Sequence, residues 1–261
     1  MIAAIVQARM GSTRLPGKVL MNLAGKPVLW HIIARLQHAV RLDRICVATT
    51  VEKEDDCIEE ACRNWNVPVF RGSRDDVLSR YYECAKHIGM HEGKNDYIVR
   101  ITADCPFVDP SIVDILIENA VNGHYDYVSN IDPPTFPDGL DVEVFRFDVL
   151  KTAFKEARLN SEREHVTPFI RNNKSFSKYN HASTTDLSII RLTLDTYEDY
   201  QMILKIYDAL YHEGEIISLK DVLKLLDSRT DILAINAQYK RNEGYKKSLC
   251  QDRIIQGDTE P

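Results

Sequence analysis

The sequence lacks several features that would place it in a common class at once. None of its apolar runs approaches the roughly 20 residues that a membrane-spanning helix needs. The apolar start is too short for a signal peptide, because Arg9 soon interrupts it. Its 33 basic and 39 acidic residues give a net charge of −6, unlike the basic domains that bind nucleic acid. We therefore expect a cytoplasmic protein whose partners include neither nucleic acid nor a membrane, although a local basic cluster could still bind a small anion.

Two short motifs are absent as well. None of the six cysteines belongs to a Cys-x-x-Cys pair and most lie in apolar helix or strand patterns, so we expect reduced thiols without a metal or disulfide role. The sequence also has no Asp-x-Asp pair, with which nucleotide-sugar-dependent glycosyltransferases of the GT-A type typically hold their metal. That class stays an alternative because it shares the α/β architecture predicted next.

What the chain does contain is a regular alternation of short β-rich runs and amphipathic helical patterns. Strands are predicted over residues 2–6, 44–49, 67–70 and 96–102. Helices are predicted over residues 27–39, 55–65 and 75–88. This alternation is typical of an α/β protein with a mainly parallel sheet between helical layers. Because such sheets bind ligands beyond the carboxyl ends of their strands, the loop after the first strand should lie at a ligand site.

The second half of the chain is less regular. A helix over residues 111–122 and a strand over 125–130 are followed by a proline-rich loop that enters a strand at 142–145. Residues 148–180 read as an inserted element of two helices and a short strand, residues 188–195 as a strand, and residues 196–212 as a long helix. The polar tail from Lys240 is expected to be loose at its end. We therefore divide the chain into a domain of residues 1–212 and a C-terminal helical extension and tail of residues 213–261.

The loop after the first strand reads GSTRLPGK, from Gly11 to Lys18. It is not a Walker A loop, because its glycines lie one residue too far apart and Val19 replaces the hydroxyl residue that would hold Mg²⁺. Small residues here can leave backbone N–H groups free for an anion, while Arg14 and Lys18 supply positive charge, so triphosphate is the natural ligand. The alternative is a Gly/Pro surface turn with solvated basic residues.

Two later segments share an R-x-T-x-D pattern, RITAD and RLTLD, and end at Asp104 and Asp195. Each carboxylate is predicted at the carboxyl end of a strand, beside the basic loop. Mg²⁺ suits such a pair, since it binds a few carboxylates together with phosphate oxygens and water. Alternatively, each Asp caps the helix that follows it.

Several segments together resemble a known family. They are IVQARMGSTRLPGKVLMNLAGKPVLWHII, RITADCPFVDP, PDGLDVEVF, SEREHVTPFI and RLTLDTYED. They are similar to the cytidylyltransferases that include the CMP-Kdo and CMP-acylneuraminate synthetases, and most of all to the branch of spore coat polysaccharide biosynthesis protein F. We find the likeness over about residues 1–210. It implies a Rossmann-like, three-layer nucleotidyltransferase fold, of the nucleotide-diphospho-sugar transferase kind, in which the inserted element helps to form a homodimer.

The resemblance also implies roles for individual residues. Arg14, Lys18, Asp104 and Asp195 would be catalytic, and the two Asp residues would hold Mg²⁺. Contacts to CTP would come from Ala8, Arg9, Gly11, Ser12, Lys18, Asp76, Arg80, Thr102 and Ala103. The amides of Gly11 and Ser12 would lie on the phosphates, and Asp76 and Arg80 near the base and ribose.

The acceptor half of the site is less well defined. The chain has Gln7-Ala8-Arg9 where sugar-acid synthetases of this family usually have Pro-Ala-Arg, and their acceptor residues do not map cleanly onto PDGLDVEVF. The candidate acceptor-binding residues are Asp138, Asp141, Arg163 and His165. The two Asp residues could instead shape the turn, Arg163 could lie on a solvated helix face, and His165 could be structural or contact the partner subunit.

These features predict an enzyme that transfers CMP from CTP to an acidic sugar or a phosphate- or phosphonate-bearing acceptor and releases pyrophosphate. An acceptor oxygen would attack the α-phosphorus in line, with catalysis supplied by positioning and charge stabilisation. The expected setting is the synthesis of surface polysaccharide or glycoconjugate precursors. A non-catalytic nucleotide-binding protein is the second rival, but it would need neither Asp104 nor Asp195.

Overall fold

The computed structural model describes residues 1–254, and seven strands of this part form one central sheet. In chain order the strands are β1 (Ile2–Gln7), β2 (Asn22–Leu23), β3 (Lys26–Pro27), β4 (Arg44–Thr50), β5 (Val69–Gly72), β6 (Tyr97–Thr102), β7 (Tyr127–Ser129), β8 (Glu143–Arg146) and β9 (Lys178–Asn180). The order across the sheet is β5-β4-β1-β6-β8-β7-β9, and β2 and β3 form a separate pair. Only the pairings of β8 with β6 and β7 are antiparallel in this sheet. The predicted mainly parallel sheet is confirmed.

Helices cover both faces of this sheet. The α-helices are α1 (Val28–Leu36), α2 (Asp56–Asn64), α3 (Val77–His87), α4 (Pro110–Asn122), α5 (Phe147–Glu156), α6 (Asn160–His165), α7 (Pro168–Asn172), α8 (Tyr197–Leu210), α9 (Leu219–Ser228), α10 (Thr230–Leu233) and α11 (Glu243–Cys250). Single 3-10 turns lie at Lys18–Leu20 and Lys53–Asp55. No helix in residues 1–254 has the length and apolarity to span a bilayer.

The alternation of side chains along β1 builds the two halves of the core. Ala4 and Val6 pack into one apolar cluster with residues of α1, α4 and α8. Ala3 and Ile5 point to the opposite face and pack into a second cluster with residues of α3 and α5. Since successive strand residues face opposite sides, a strand buried on both faces must be apolar along its buried length, as β1 is from Ala3 to Val6. The result is the predicted three-layer α/β fold.

The C-terminal extension packs on the first of these clusters. Ile217, Val222, Leu226 and Ile232 are buried there beside α8. Farther on, the tail from Lys240, which we expected to be loose at its end, forms helix α11 and lies against the rest of the chain through Asp252. The part of that prediction that concerns residues 255–261 falls outside the described residues.

The predicted strand over residues 188–195 is wrong. This segment runs extended beside the proline-rich loop and pairs with it at a single bridge between Asp138 and Arg191. The backbone amides of Leu192 and Leu194 donate to the backbone carbonyls of Asp138 and Asp104 respectively. Because these acceptors belong to two different segments, the described residues provide no second strand with which this segment could form a ladder. The inserted element differs as well, since residues 148–180 contain parts of three helices and a strand instead of two helices and a strand.

Candidate active site

The basic loop leaves the carboxyl end of β1 and is held in place by a buried carboxylate. The Met10 amide donates to Asp55 Oδ1 over 2.7 Å, and the hydroxyl of Thr50, at the end of the neighbouring strand β4, also donates to Asp55. Gly17 has a φ of 72°, a left-handed conformation that glycine adopts without a steric penalty. The 3-10 turn that begins directly after it carries Lys18.

The loop amides were expected to contact phosphate. The Ser12 amide donates to the carbonyl of Met10 over 2.8 Å, so it is already engaged. Within residues 1–254, the amides of Gly11 and Thr13 make no hydrogen bond. The backbone of this loop therefore offers a small number of free donors, but Ser12 is not among them.

Lys18 brings together the two carboxylates that the R-x-T-x-D pattern singled out. Its Nζ lies 2.8 Å from Asp104 Oδ2 and 2.8 Å from Asp195 Oδ1. Asp104 follows the carboxyl end of β6, whereas Asp195 ends the extended segment that crosses behind it. Three residues far apart in sequence thus meet at one point beyond the carboxyl ends of β1 and β6.

Two arginines surround Asp195 on its other side. Arg14 Nη2 lies 2.8 Å and Arg191 Nη2 lies 3.3 Å from Asp195 Oδ2. Arg191 also pairs with Asp138 and with Asp199, each at 2.9 Å. Asp199 in turn completes a capping box with Thr196 at the start of α8. The carboxylate of Asp195 is therefore fixed by a network that reaches into the core.

The charge states at this point follow from burial and pairing. Burial opposes ionisation of Asp104, but the ammonium of Lys18 outweighs it and holds the pKa of Asp104 at about 2. Burial likewise opposes protonation of Lys18, while Asp104 and Asp195 together raise the pKa of this lysine above its ordinary value. The pair is ionised at neutral pH, which gives an anionic oxygen for a metal and a cation for phosphate.

These residues line a cleft of about 740 Å³, which we call the strand-end cleft. The sequence-predicted site residues that line it are Ala8, Arg9, Ser12, Arg14, Lys18, Arg80, Thr102, Ala103, Asp104, Asp138, Asp141, His165 and Asp195. Gly11, Asp76 and Arg163 were also expected at the site, but they do not line this cleft. The structure thus brings most of the predicted set into one place.

Asp76 and Arg163 face each other instead. The Arg163 guanidinium forms an ion pair with Asp76 and donates 2.7 Å to the carbonyl of Phe154. Asp76 also caps α3 by accepting from the Ser79 amide over 2.9 Å. Both side chains are therefore engaged in joining α3 to α6, and neither reaches the nucleotide or the acceptor side of the cleft.

The Pro-Asp-Gly-Leu-Asp loop lies on the far wall of the cleft. Its Asp138 pairs with Arg191, and its Asp141 pairs with Arg241 of the C-terminal segment. Burial raises the pKa of Asp141 to about 7, an effect that Arg241 only partly offsets. Gly139 has a φ of 104°, and a Cβ there would lie 2.5 Å from the Thr193 amide. The loop therefore requires glycine where it crosses the extended segment.

His165 lies at the base of the same cleft. Its Nε2 is 3.0 Å from the Ser248 hydroxyl, and its ring packs edge-on against Tyr245, with both partners belonging to α11. Burial lowers the pKa of His165 to about 4, so the ring is neutral near pH 7. Nearby, Arg100 pairs with the buried Glu143 over 2.5 Å.

Sequence reasoning missed two groups of cleft residues. The first is the Arg100–Glu143 pair, whose members lie on β6 and β8; the Arg of RITAD and the strand VEVF gave the only signal for it. The second is the C-terminal segment, which lines the cleft with residues from Lys240 to Gln251. No motif marks this segment, because its contacts come from single polar residues instead of an apolar pattern.

The donors present suit Mg²⁺. Residues 1–254 contain no group of three or more His, Cys, Asp or Glu side chains that could enclose a metal. Asp104 and Asp195 together offer two carboxylates bridged by one ammonium. Mg²⁺ characteristically binds through one or two carboxylates and takes its remaining ligands from substrate phosphates and water. A site with two carboxylates, next to cations that can bind phosphate, matches this coordination preference.

Comparisons with known proteins place the chain beside nucleotidyltransferases. The family model described as cytidylyltransferase matches residues 3–249, which extends well past residue 210, where we found the likeness to end. The protein MJ1063 of Methanocaldococcus jannaschii is 38% identical over 94% of this chain and 98% of its own length. Spore coat polysaccharide biosynthesis protein SpsF of Bacillus subtilis is 32% identical over 88% of this chain and 95% of its own. A solved cytidylyltransferase structure from Leptospira borgpetersenii superposes with a TM-score of 0.83 at 32% identity, covering 89% of this chain and 96% of that one.

Proposed function

This chain belongs to the cytidylyltransferase family and is a CTP-dependent nucleotidyltransferase. We propose that it transfers CMP to an acidic sugar or to a phosphate- or phosphonate-bearing acceptor and releases pyrophosphate. The setting we propose is the synthesis of surface polysaccharide or glycoconjugate precursors. The observation that carries the proposal is the meeting of Lys18 and Arg14 with Asp104 and Asp195 in the strand-end cleft. A surface turn would not place Lys18 on both carboxylates and Arg14 on one of them.

The cations account for the pyrophosphate side. Lys18 is a mobile point charge and Arg14 a planar fork, and both suit the oxygens of a triphosphate. Arg9 and Arg80 line the same cleft and form no ion pair within the described part of the chain. Stabilisation of the leaving pyrophosphate by fixed positive charge is the kind of contribution that dominates phosphoryl-type transfer.

Asp104 and Asp195 would hold Mg²⁺. When bound, Mg²⁺ supplies charge neutralisation at the reacting phosphate and acceptor oxygens. For the carboxylates to serve this purpose, Lys18 must leave them and turn toward phosphate. The long lysine side chain can make that change while the two carboxylates stay fixed by the carboxyl end of β6 and by Arg191.

The acceptor side is best assigned to the part of the cleft around His165. Asp138 and Asp141 are both ion-paired, with Arg191 and Arg241 respectively. These pairs favour a role in shaping the wall of the site over direct binding of acceptor hydroxyls. The neutral ring of His165 can donate or accept one hydrogen bond, and its other neighbours in the cleft are polar.

We also propose that the enzyme is a cytoplasmic homodimer. The inserted element over residues 148–180 is the expected dimer contact. Light scattering on the purified protein should give twice the mass of one chain, and a single-chain mass at micromolar concentration would contradict the proposal.

A pyrophosphate-release assay tests the function. Each of the four nucleoside triphosphates is offered with Mg²⁺ and a panel of acidic sugars, sugar phosphates and phosphonates. We expect release with CTP and at least one anionic acceptor, and much slower release with UTP, because a site built for one base leaves polar groups unpaired with another. Equal use of CTP and UTP would indicate a general nucleotidyltransferase. Consumption of a nucleotide sugar without pyrophosphate release would support the glycosyltransferase alternative.

A further inference from the structure

The C-terminal segment from Lys240 to Gln251 lies along one side of the strand-end cleft. Gly244, Lys247 and Ser248 of helix α11 line the cleft together with Gln251, which directly follows the helix. Their spacing is that of one helical face, so the helix presents a continuous surface to the site. Lys246, the neighbour of Lys247 on the same helix, does not line the cleft.

Contacts from separate walls of the cleft fix this segment. Arg241 pairs with Asp141 and donates 3.0 Å to the carbonyl of Phe136. At the other end, the Ser248 hydroxyl lies 2.8 Å from Glu164 Oε2 and 3.0 Å from His165 Nε2. The segment is therefore tied both to the Pro-Asp-Gly-Leu-Asp loop and to α6.

Further contacts extend the attachment at both ends of α11. Arg14 Nη1 approaches Glu243 to 3.6 Å, which ties the start of α11 to the basic loop. Beyond the helix, Asp252 accepts hydrogen bonds from the Ser161 amide and hydroxyl at 2.9 and 2.7 Å. The position of α11 over the cleft is thus set by both rims and not by packing of an apolar face.

The segment adds cations to the cleft that no carboxylate neutralises. Of the cleft cations that sequence reasoning singled out, Lys18 and Arg14 are ion-paired, whereas Arg9 and Arg80 are not in the part of the chain that the structure describes. In the described part of the chain, Lys240 and Lys247 form no ion pair, and neither does Arg171, which also lines the cleft. The Arg171 guanidinium lies 5.4 Å from the ring centre of Tyr245, and its Nε is enclosed without a hydrogen-bond partner.

An enclosed guanidinium nitrogen without an acceptor is costly unless a ligand supplies one. Arg171 lies on α7, close to Glu143. Burial raises the pKa of that carboxyl, but the positive charges of Arg100 and, to a smaller extent, Arg171 lower it below its ordinary value. Arg171 is thus on the His165 side of the cleft, where we place the acceptor. The triphosphate cations Arg14 and Lys18 instead pair with Asp195.

We propose that Arg171 of α7 and Lys247 of α11, which both line the strand-end cleft, bind the anionic group of the acceptor, so that the C-terminal segment selects an acceptor bearing a carboxylate or a phosphate. This inference rests on the proposed function, since it names the substrate group which that site recognises. A guanidinium and an ammonium together suit a carboxylate or phosphate better than a neutral sugar hydroxyl. Lys240, at the start of the segment, also lines the cleft.

The test compares Lys247→Met with Lys246→Met. The two lysines are adjacent on one exposed helix, so both variants should fold alike, and thermal melting checks this. Each protein is saturated with Mg²⁺ and the non-hydrolysable analogue α,β-methylene-CTP, which fills the triphosphate positions. Inorganic phosphate is then titrated by calorimetry.

We expect phosphate to bind wild type and Lys246→Met with equal affinity. It should bind Lys247→Met and Arg171→Gln at least about tenfold more weakly, as the loss of one charge-assisted hydrogen bond implies. Affinity for the nucleotide analogue should not change in Lys247→Met. Three results overturn the inference: no phosphate binding by wild type, equal binding by Lys247→Met, or weakened nucleotide binding in Lys247→Met, which would assign this cation to CTP.

Turnover then distinguishes the source of the anion. A rise in KM of Lys247→Met for acidic sugars alone indicates a carboxylate, and a rise for sugar phosphates alone indicates a phosphate; in either case kcat should change much less than KM. If no acceptor supports pyrophosphate release, the proposed function fails, whereas the phosphate titration still decides whether the subsite exists.

Discussion

Replacing Lys18 with Met should separate its two roles, as a cation for phosphate and as the counter-ion of Asp104 and Asp195. The side chain keeps its length and loses its charge. In the free enzyme its Nζ lies 2.8 Å from both Asp104 and Asp195. Asp195 would keep Arg14 and Arg191 as partners, but Asp104 has no other ion pair within residues 1–254. The variant therefore leaves one largely buried carboxylate without a cation.

The structure sets the size of the effect. Side-chain exposure is 11% for Lys18 and 25% for Asp104, so solvent compensates little. Removing one partner of a buried ion pair costs about 3 to 5 kcal/mol, and the partial exposure of Asp104 brings the expected loss of stability to about 2 to 3 kcal/mol. For a divalent cation the sign reverses, since the competing ammonium is gone. A gain of about 1.4 kcal/mol would tighten metal binding tenfold.

Mn²⁺ titration followed by electron paramagnetic resonance measures the second effect in the absence of nucleotide. We expect Lys18→Met to bind Mn²⁺ about tenfold more tightly than wild type, while turnover with CTP falls by about a hundredfold or more because the leaving pyrophosphate loses a cation. Lys53→Met, which changes an exposed lysine outside the cleft, is the control. Unchanged or weaker Mn²⁺ binding in Lys18→Met would refute the reasoning that Lys18 and the metal compete for the same carboxylates.

Three further predictions concern the same site and its support. Asp104→Asn should lower turnover by about a hundredfold or more in a protein that still folds, because Lys18 keeps Asp195 as its partner, and near-normal activity would remove this carboxylate from the metal site. Gly139→Ala should lower the free energy of unfolding by about 2 kcal/mol or more in urea, since the φ of 104° and the crossing backbone leave no room for a Cβ; a wild-type midpoint would contradict this. Because burial lowers the pKa of His165 to about 4, the unfolded chain takes up that proton first as the pH falls from about 6.5 to 4, so stability decreases over this window. His165→Asn should flatten that part of the stability profile, and an unchanged slope would show that other groups cause it.

Much of the fold follows from the sequence because it depends on local patterns. The two-sided apolar runs of β1 and β6 and the amphipathic helices between the strands specify a parallel sheet between helical layers. The segment 188–195 misled this reasoning, since its alternating apolar residues read as a strand. Leu192 and Leu194 are indeed buried, but against the core beside the loop at Asp138, where only single hydrogen bonds form. A residue pattern reports burial of alternate side chains and does not show whether a ladder partner exists.

The candidate site divides along the same line. The basic loop and the ends of RITAD and RLTLD could be placed at one edge of the sheet from the order of elements alone. That Lys18 lies between Asp104 and Asp195 could not, because these pairs span long stretches of chain and no pattern encodes the distance. Helix α11 carries few apolar residues, so its position over the cleft depends on individual polar contacts. Such contacts are visible only once the fold has brought their partners together.

The pairing in the cleft also bears on how substrates enter. Lys18, Arg14, Asp104 and Asp195 form a set of two cations and two anions, to which Arg191 adds a third cation at Asp195. A triphosphate arriving alone would draw Lys18 and Arg14 away, which leaves Asp104 without a cation and Asp195 with Arg191 alone. A divalent cation arriving alone must displace Lys18. When the triphosphate and the divalent cation arrive together, the carboxylates gain the metal at the same time as Lys18 and Arg14 gain phosphate, so that neither set of charges is left without a partner. With Asp104 and Asp195 as the proposed metal ligands, we therefore expect the enzyme to take up CTP as its metal complex.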